Sequence, residues 1–294
     1  MRVALTGATG FVGSHVLVEL QEHGHDVTGL VRDGPELVTA HGAAAEVVDV
    51  YDRPALVSLL TGADAAIHTA SPGDETSADL DVAVVDAAIE AFAGTGKPYI
   101  HISGLWTYGD NLAITEDSPS SSPALVAWKG PINQRVLDAP GMRGVVIESS
   151  TAYGDGGGGI PGLLLGSPRD DAGNLIMLGS GRQHWSAVHV ADLANVFRRI
   201  LEDESAGGRY VVGDGLSPTV AELTQAAAIA IGAPGAVPGS DEEARARLGE
   251  YFAEVLLLDQ GTDAAKARHS LGWRPEHPGL VAELREGSYR NLAA

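Results

Sequence analysis

The chain has 294 residues, 44% of them apolar, with a formal net charge of −20 and no cysteine. That length and apolar content suit one large α/β domain, or a domain with a smaller cap, and exclude global disorder. The charge argues against a nucleic-acid backbone or an anionic membrane as partner, and the missing thiols rule out disulfides and thiolate metal sites. Met1-Arg2 leads straight into an apolar run, with no leader-like segment and no stretch of membrane-spanning length, so a cytoplasmic protein is the expectation. Val3-Ala4-Leu5 reads as a first strand, and Phe11, Val12, Val16, Leu17 and Leu20 as one face of a helix. Further strands are predicted at 26–31, 47–50, 64–68, 99–102 and 145–147, with a helix over 78–93 that places Leu80, Val84, Val85 and Ala88 together. Another helix is expected over 123–138. The second half is less regular. It has strands predicted at 175–178 and 209–212, and helices at 190–203, 219–231, 262–270 and 279–290. Strands alternating with helices imply an α/β, Rossmann-like, doubly wound parallel sheet with a smaller C-terminal substrate cap.

Residues 6–13 read Thr-Gly-Ala-Thr-Gly-Phe-Val-Gly, between the first strand and the first helix. Gly7 permits a tight turn, Gly10 leaves room for a pyrophosphate, and Gly13 lets helix and strand pack closely. Thr9, Phe11 and Val12 complete the cradle, where free N–H groups at the helix start would face phosphates. Val31 stands where an acidic residue would bind the ribose hydroxyl of NAD, and Arg32 follows it. A guanidinium there suits the extra phosphate of NADP, so NADP is the expected cofactor and NAD the lesser alternative. Asp33 is adjacent and could pair with Arg32. Asp49 and Val50, after the third strand, are candidates for the adenine end. Residues 1–150, with returns around 185–213, are therefore expected to form the dinucleotide-binding domain, and 151–184 with 214–294 the cap.

At this point the chain resembles the extended and atypical branches of the short-chain dehydrogenase/reductase superfamily, which include nucleotide-sugar epimerases and dihydroflavonol-reductase-like enzymes. The resemblance rests on Thr6–Gly13, "VVDVYD" at 47–52, "AAIHTAS" at 65–71, "HISGLWTYGD" at 101–110, Lys129, "TAYGDGGG" at 151–158, "WSAVHVADLA" at 185–194 and "LGWRP" at 271–275. It implies that His68, Thr69, Ala70 and Ser103 pass near the cofactor. It also implies that Lys129, one of only three lysines, holds the nicotinamide ribose. In such enzymes a tyrosine four residues before that lysine moves a proton while hydride moves. Here that position is Leu125, which cannot. Counting back four residues from Tyr108, to where a Ser or Thr is usual, gives Gly104. "ESSTAYG" at 148–154 replaces an Arg-Pro-containing segment, which leaves Ser149 and Ser150 near the expected nicotinamide end.

Candidates for the missing acid or polarising group are Tyr108, Ser149, Tyr153 and His184, and the residues alone do not choose among them. His101 reads as a packed strand residue and His189 as part of a helix start. Arg182 could meet an anionic substrate group. Gly156–Gly159 reads as a mobile substrate loop rather than a second phosphate cradle. His23 and His25 lack a third ligand, so no metal site is expected. The leading expectation is an NADP-dependent oxidoreductase acting on a small carbonyl, alcohol or enone. The alternatives are an epimerase or isomerase with bound NAD(P), and a non-catalytic NADP-binding sensor or scaffold. The expected partner is a small-molecule substrate, with no nucleic acid and no membrane. A homodimer through the helices near 78–93 and 123–138 is what the resemblance implies.

Overall fold

A computed structural model describes residues 1–291. The first half alternates strand and helix as its apolar periodicity requires. The elements are β1 (Arg2–Thr6), α1 (Phe11–Glu22), β2 (Asp26–Val31), α2 (Pro35–Thr39), β3 (Ala44–Val47), α3 (Arg53–Gly62), β4 (Ala65–His68), α4 (Ser77–Phe92), β5 (Pro98–Gly104), α5 (Lys129–Asp138) and β6 (Arg143–Ser149). The second half adds β7 (Thr151–Tyr153), α6 (Gly159–Leu165), β8 (Leu175–Ile176), β9 (Ala187–His189), α7 (Val190–Glu202) and β10 (Gly208–Val212). It closes with α8 (Val220–Ala230), β11 (Ala236–Val237), α9 (Asp241–Leu248), α10 (Glu250–Leu256), α11 (Ala265–Ser270) and α12 (Leu280–Glu286).

The main sheet has seven strands in the order β10-β6-β5-β4-β1-β2-β3, all paired parallel. Chain order reverses between β1 and β4, so their carboxyl ends open a crevice where ligands bind in such sheets. One face is buried against α1, α7 and α11, with Val16, Leu17, Phe197 and Trp273 in its core. The other is buried against α3, α4 and α5, with Leu56, Val84, Val85 and Val136 in its core. A third core, around Tyr153, Leu223, Leu256 and Leu284, belongs to the second-half elements. Trp273 of the "LGWRP" segment is fully buried and donates its indole N–H to the Asp192 carbonyl at 3.0 Å, which ties the late chain to α7.

Three local expectations are corrected. The third strand is residues 44–47, not 47–50, because Asp49 accepts the Tyr51 N–H and Asp52 caps α3, which turns the chain away from the sheet edge. The strand predicted at 175–178 is shortened to 175–176 and pairs with β11 in a separate two-stranded sheet, whereas the one predicted at 209–212 is found at 208–212 on the edge of the main sheet. The loop at 156–159 does run into a helix start, with Gly158 as the N-cap of α6. It is also pinned: Tyr289 Oη accepts the Gly154 N–H and donates to the Gly157 carbonyl, each at 2.6 Å.

Gly13 and Gly62 give a matched stability test. A Cβ on Gly13 would lie 2.0 Å from the Gly7 carbonyl oxygen, whereas a Cβ on Gly62 meets nothing within 4 Å. Gly13→Ala is expected to cost roughly 1–3 kcal/mol or more by overpacking. Gly62→Ala should be neutral, or stabilise by up to about 1 kcal/mol. Thermal unfolding of the two variants reads the difference, and equal melting temperatures would contradict the packing described.

Candidate active site

The phosphate loop has the shape its glycines require. Gly7 sits at φ +78°, and a Cβ there would meet the Ala70 nitrogen at 2.5 Å, so the β1 and β4 turns touch directly. Thr69 strengthens that junction by donating its hydroxyl to the Thr6 carbonyl at 2.8 Å. Gly10 has only the Gly7 carbonyl within 4 Å of its missing side chain, so its outer face is open. As N-cap it offers no side-chain acceptor, and the first-turn N–H groups of α1 remain available to an anion. An open glycine face over uncapped N–H groups fits a pyrophosphate.

Between this loop and the second-half elements lies a cavity of about 690 Å³. Phe11, Val12, Thr69 and Ser71 line its cofactor-side wall, and Ser103, Gly104, Lys129, Ser149 and Ser150 stand at the strand ends. Opposite them are Trp106, Ile160, Leu163, Trp185, Phe252 and Leu256. The Gly154–Gly159 loop covers Phe11 so closely that a Cβ on Gly157 would lie 2.3 Å from its ring, and Asp155 pairs with His15 of α1 at 2.9 Å.

Lys129 begins α5, and its side chain is 19% exposed. Its Nζ stands 4.2 Å from the Trp128 ring centroid and 3.7 Å from Asp81 Oδ2. Attraction at that separation is on the order of 4 kcal/mol at an effective dielectric near 20. Burial weakens the ammonium and the Asp81 carboxylate opposes that, leaving the pKa below the ordinary 10.5.

Asp81 lies in a buried polar network. His68 Nε2 stands 2.9 Å from Asp81 Oδ1, and His68 Nδ1 stands 2.6 Å from Thr6 Oγ1. His101 Nε2 stands 3.5 Å from Asp81 Oδ2, and His101 Nδ1 is 3.4 Å from Tyr99 Oη. His68 can donate Nε2–H to Asp81 Oδ1 while its Nδ1 accepts the Thr6 hydroxyl, and His101 presents its Nε2 towards Asp81 Oδ2 with its Nδ1 towards the Tyr99 hydroxyl. Burial alone would raise the Asp81 pKa, but the His101 and His68 hydrogen bonds outweigh it and hold the carboxyl well below its usual range. Burial holds His101 down at about 4 despite Asp81. The donor atoms of His68, Asp81 and His101 lie within 4.8 Å of one another, a spacing open to a metal ion, but the Lys129 ammonium competes for the same carboxylate.

The expected site residues divide. Gly7, Gly10, Gly13, Phe11, Val12, Thr69, Ala70, Ser103, Lys129 and Ser149 gather at the crevice, with Thr9 exposed at the loop tip. His68 ends β4 with its side chain buried, away from the cavity lining. Arg32 is exposed beyond β2 and paired with Asp33 at 3.1 Å. Asp49 is exposed and holds a turn, and Val50 packs against the α3–α4 core. Leu125 is 37% exposed and does not line the cavity.

Three acid candidates also lie off the cavity lining. Tyr108 donates to Glu148, which is buried and paired with Arg209 at 2.7 Å; burial and that carboxylate raise the phenol pKa. Tyr153 donates to the Pro278 carbonyl at 2.8 Å, and its pKa is raised by burial and then by Asp214. His184 pairs with Asp259 at 2.8 Å. Ser149 does line the cavity, but its hydroxyl donates to the Ser150 carbonyl at 2.7 Å. Arg182 is exposed and also off the lining. His189 caps α7, accepting the Ala191 N–H at 3.3 Å.

The model of the NAD dependent epimerase/dehydratase family matches residues 3–213. The chain belongs to that family. An uncharacterized protein of Schizosaccharomyces pombe is 29% identical over 299 residues, spanning 98% of this chain and 100% of that one. The 3-diazoavenalumate denitrifying reductase of a Streptomyces species is 26% identical, over 95% of this chain and 97% of its own length. The solved structure of human epimerase family protein SDR39U1 (isoform 2) with NADPH superposes with a TM-score of 0.76 at 24% identity, covering 98% and 99% of the two chains. The chain thus has the NAD(P)-binding fold of this family, and no helix among its described residues is long and apolar enough to cross a membrane.

Sequence reasoning missed Asp81. A signal was there, since Asp81 stands three and four residues before Val84 and Val85 and so shares their buried face of α4. The apolar lining from α6 and α10 carried no such signal.

The network predicts a pH-dependent stability. His101 keeps a folded pKa of about 4 against the ordinary 6.5, so the unfolded chain binds the extra proton between those values. Its contribution is complete above pH 6.5 and is lost as pH falls towards 4, on the order of 3 kcal/mol for that shift. His101→Gln keeps an N–H donor but not the titration. Melting temperatures at pH 7 and pH 4.5 should therefore fall less for this variant than for the parent protein.

Proposed function

We propose that this protein is an NADP(H)-dependent reductase of an uncharged, largely apolar carbonyl compound or enone. The observation that carries this is the cavity wall: Lys129 is its only ionisable side chain among the described residues, amid tryptophan, phenylalanine, leucine and isoleucine. A nucleotide-sugar diphosphate needs cations matched to its charge, and here the one ammonium already faces Asp81. A flat apolar molecule of modest size suits such a lining. The reductase among the relatives and the NADPH in the human neighbour support the same reading.

The Gly7–Gly13 loop would hold the pyrophosphate, Lys129 the nicotinamide ribose, and Arg32 the phosphate that distinguishes NADP from NAD. The nicotinamide supplies hydride when bound. The chain's own part is to orient the substrate in an apolar, water-poor wall and to polarise its oxygen. A second reading, a binder that does no chemistry, is favoured by Leu125 in place of the proton-moving tyrosine. A small-molecule partner alone, and a cytosolic setting, remain part of the proposal.

Two measurements test this reading. Calorimetry should show saturable NADPH binding that Arg32→Ala weakens roughly 10–100-fold, the worth of one charge-assisted hydrogen bond set, while NADH binding is unchanged. NADPH oxidation should then be followed with 1,4-naphthoquinone, benzalacetone and UDP-glucose. Turnover with the aromatic acceptors is the expected result. Tight binding without turnover of any of them would favour the silent binder, and no binding at all would defeat both readings.

A further inference from the structure

We infer that Lys129 itself delivers the proton in this protein, and that Asp81 is the residue that positions it. The inference rests on the reductase reading and deepens it. Leu125 removes the usual donor, and Tyr108, Tyr153 and His184 lie off the cavity lining with their polar atoms engaged elsewhere. Ser103 lines the wall and accepts from Asn133 Nδ2 at 3.0 Å, which leaves its O–H free to polarise a substrate oxygen but not acidic enough to give up the proton, and Ser149 is turned to a carbonyl. The remaining hydroxyls of the wall are ordinary alcohols, far weaker acids than an ammonium. Lys129 is left as the acid within reach of a substrate oxygen.

The groups around it are built for that task. From α4, Asp81 Oδ2 lies 3.7 Å from Nζ. From β4 and β5, His68 and His101 stand behind the carboxylate and do not line the cavity. From β6, Glu148 lies beyond Asn133 and is already paired with Arg209. Both imidazoles turn a ring nitrogen to Asp81 from the side away from the cavity, and the carboxylate faces the ammonium on the other. Asp81 Oδ2 has no closed hydrogen bond, and its polar neighbours are His101 Nε2 at 3.5 Å and the Lys129 ammonium at 3.7 Å. Burial loosens the ammonium's hold on its proton and so makes it a stronger acid, while Asp81 partly opposes that and holds the side chain in place.

In the step proposed, a new O–H bond forms at the substrate oxygen as one N–H bond of Lys129 breaks, with the electron pair left on nitrogen. The hydride that makes the new C–H bond comes from the reduced nicotinamide dinucleotide, which leaves oxidised. The amine regains its proton from water at the cavity mouth.

Because the chain has only three lysines, the ionisation can be watched directly. In [13Cε]lysine-labelled protein three signals are expected, assigned with Lys97→Arg and Lys266→Arg. Lys129 should titrate below 10.5, and Asp81→Asn should lower it further, since the carboxylate raises it. A Lys129 signal at or above the ordinary value would overturn the inference. With benzalacetone, Lys129→Met should slow turnover about 10²–10⁴-fold. Added ethylammonium should restore part of the rate, and NADPH affinity should stay within about tenfold of the parent. With 1,4-naphthoquinone, whose reduced product is stable as an anion, the same variant should lose less than about tenfold. Equal losses on both acceptors together with weakened NADPH binding would mean that Lys129 only holds the ribose. The acid is active as the ammonium, so the rate with benzalacetone should fall as pH rises through its pKa, and at lower pH in Asp81→Asn. If the unaltered protein binds NADPH but reduces neither acceptor, the reductase reading fails first and this inference falls with it.

Discussion

A single buried negative charge organises the crevice. Asp81 sits on the sheet-facing side of α4, where an apolar residue would satisfy the helix pattern better. A lone carboxylate there would cost several kcal/mol of lost hydration. It is retained because β4 and β5 each bring a neutral imidazole to it, and because α5 begins with a lysine beside it. Four successive elements, β4, α4, β5 and α5, are thereby held in one relation towards the carboxyl ends of the strands.

The same arrangement fixes what the cavity can recognise. The ammonium is matched by its own carboxylate, and the opposing wall from α6, α10 and the Trp185 segment is apolar. A chain with net charge −20 also repels anionic ligands on average. Any anionic ligand has to be held by local features such as the free N–H groups and dipole at the start of α1, against that field. Among the described residues, the opposing cavity wall carries no ionisable side chain. The loop over Phe11 joins the two halves, held by Tyr289 from beyond α12 and by the Asp155–His15 pair.

The relation between sequence and structure differs by region. The parallel sheet was readable because strands buried on both faces are nearly continuous apolar runs, and the intervening helices show a clear period. The end of the third strand was not, since "VVDV" is apolar enough for a strand and only the Asp49 and Asp52 side-chain bonds show that the chain turns there. The glycine loop at 154–159 looked free because glycine removes local preference. The contacts that pin it come from Tyr289 and Ser288, over 130 residues away. Among the candidate acids, residue type gave four plausible groups, and three of them, Tyr108, Tyr153 and His184, are engaged off the cavity. Their partners Glu148, Pro278 and Asp259 lie 40, 125 and 75 residues distant and were invisible to local pattern.

The amino-acid sequence by itself determined the sheet, the phosphate loop and the loss of the tyrosine at Leu125. These are set by short-range spacing and by the absence of side chains at defined glycines. Only the tertiary structure decided which polar groups share the cavity with Lys129 and that Asp81 lies beside it. Hydrogen-bond partnership and burial depend on distances between elements that the chain order does not contain.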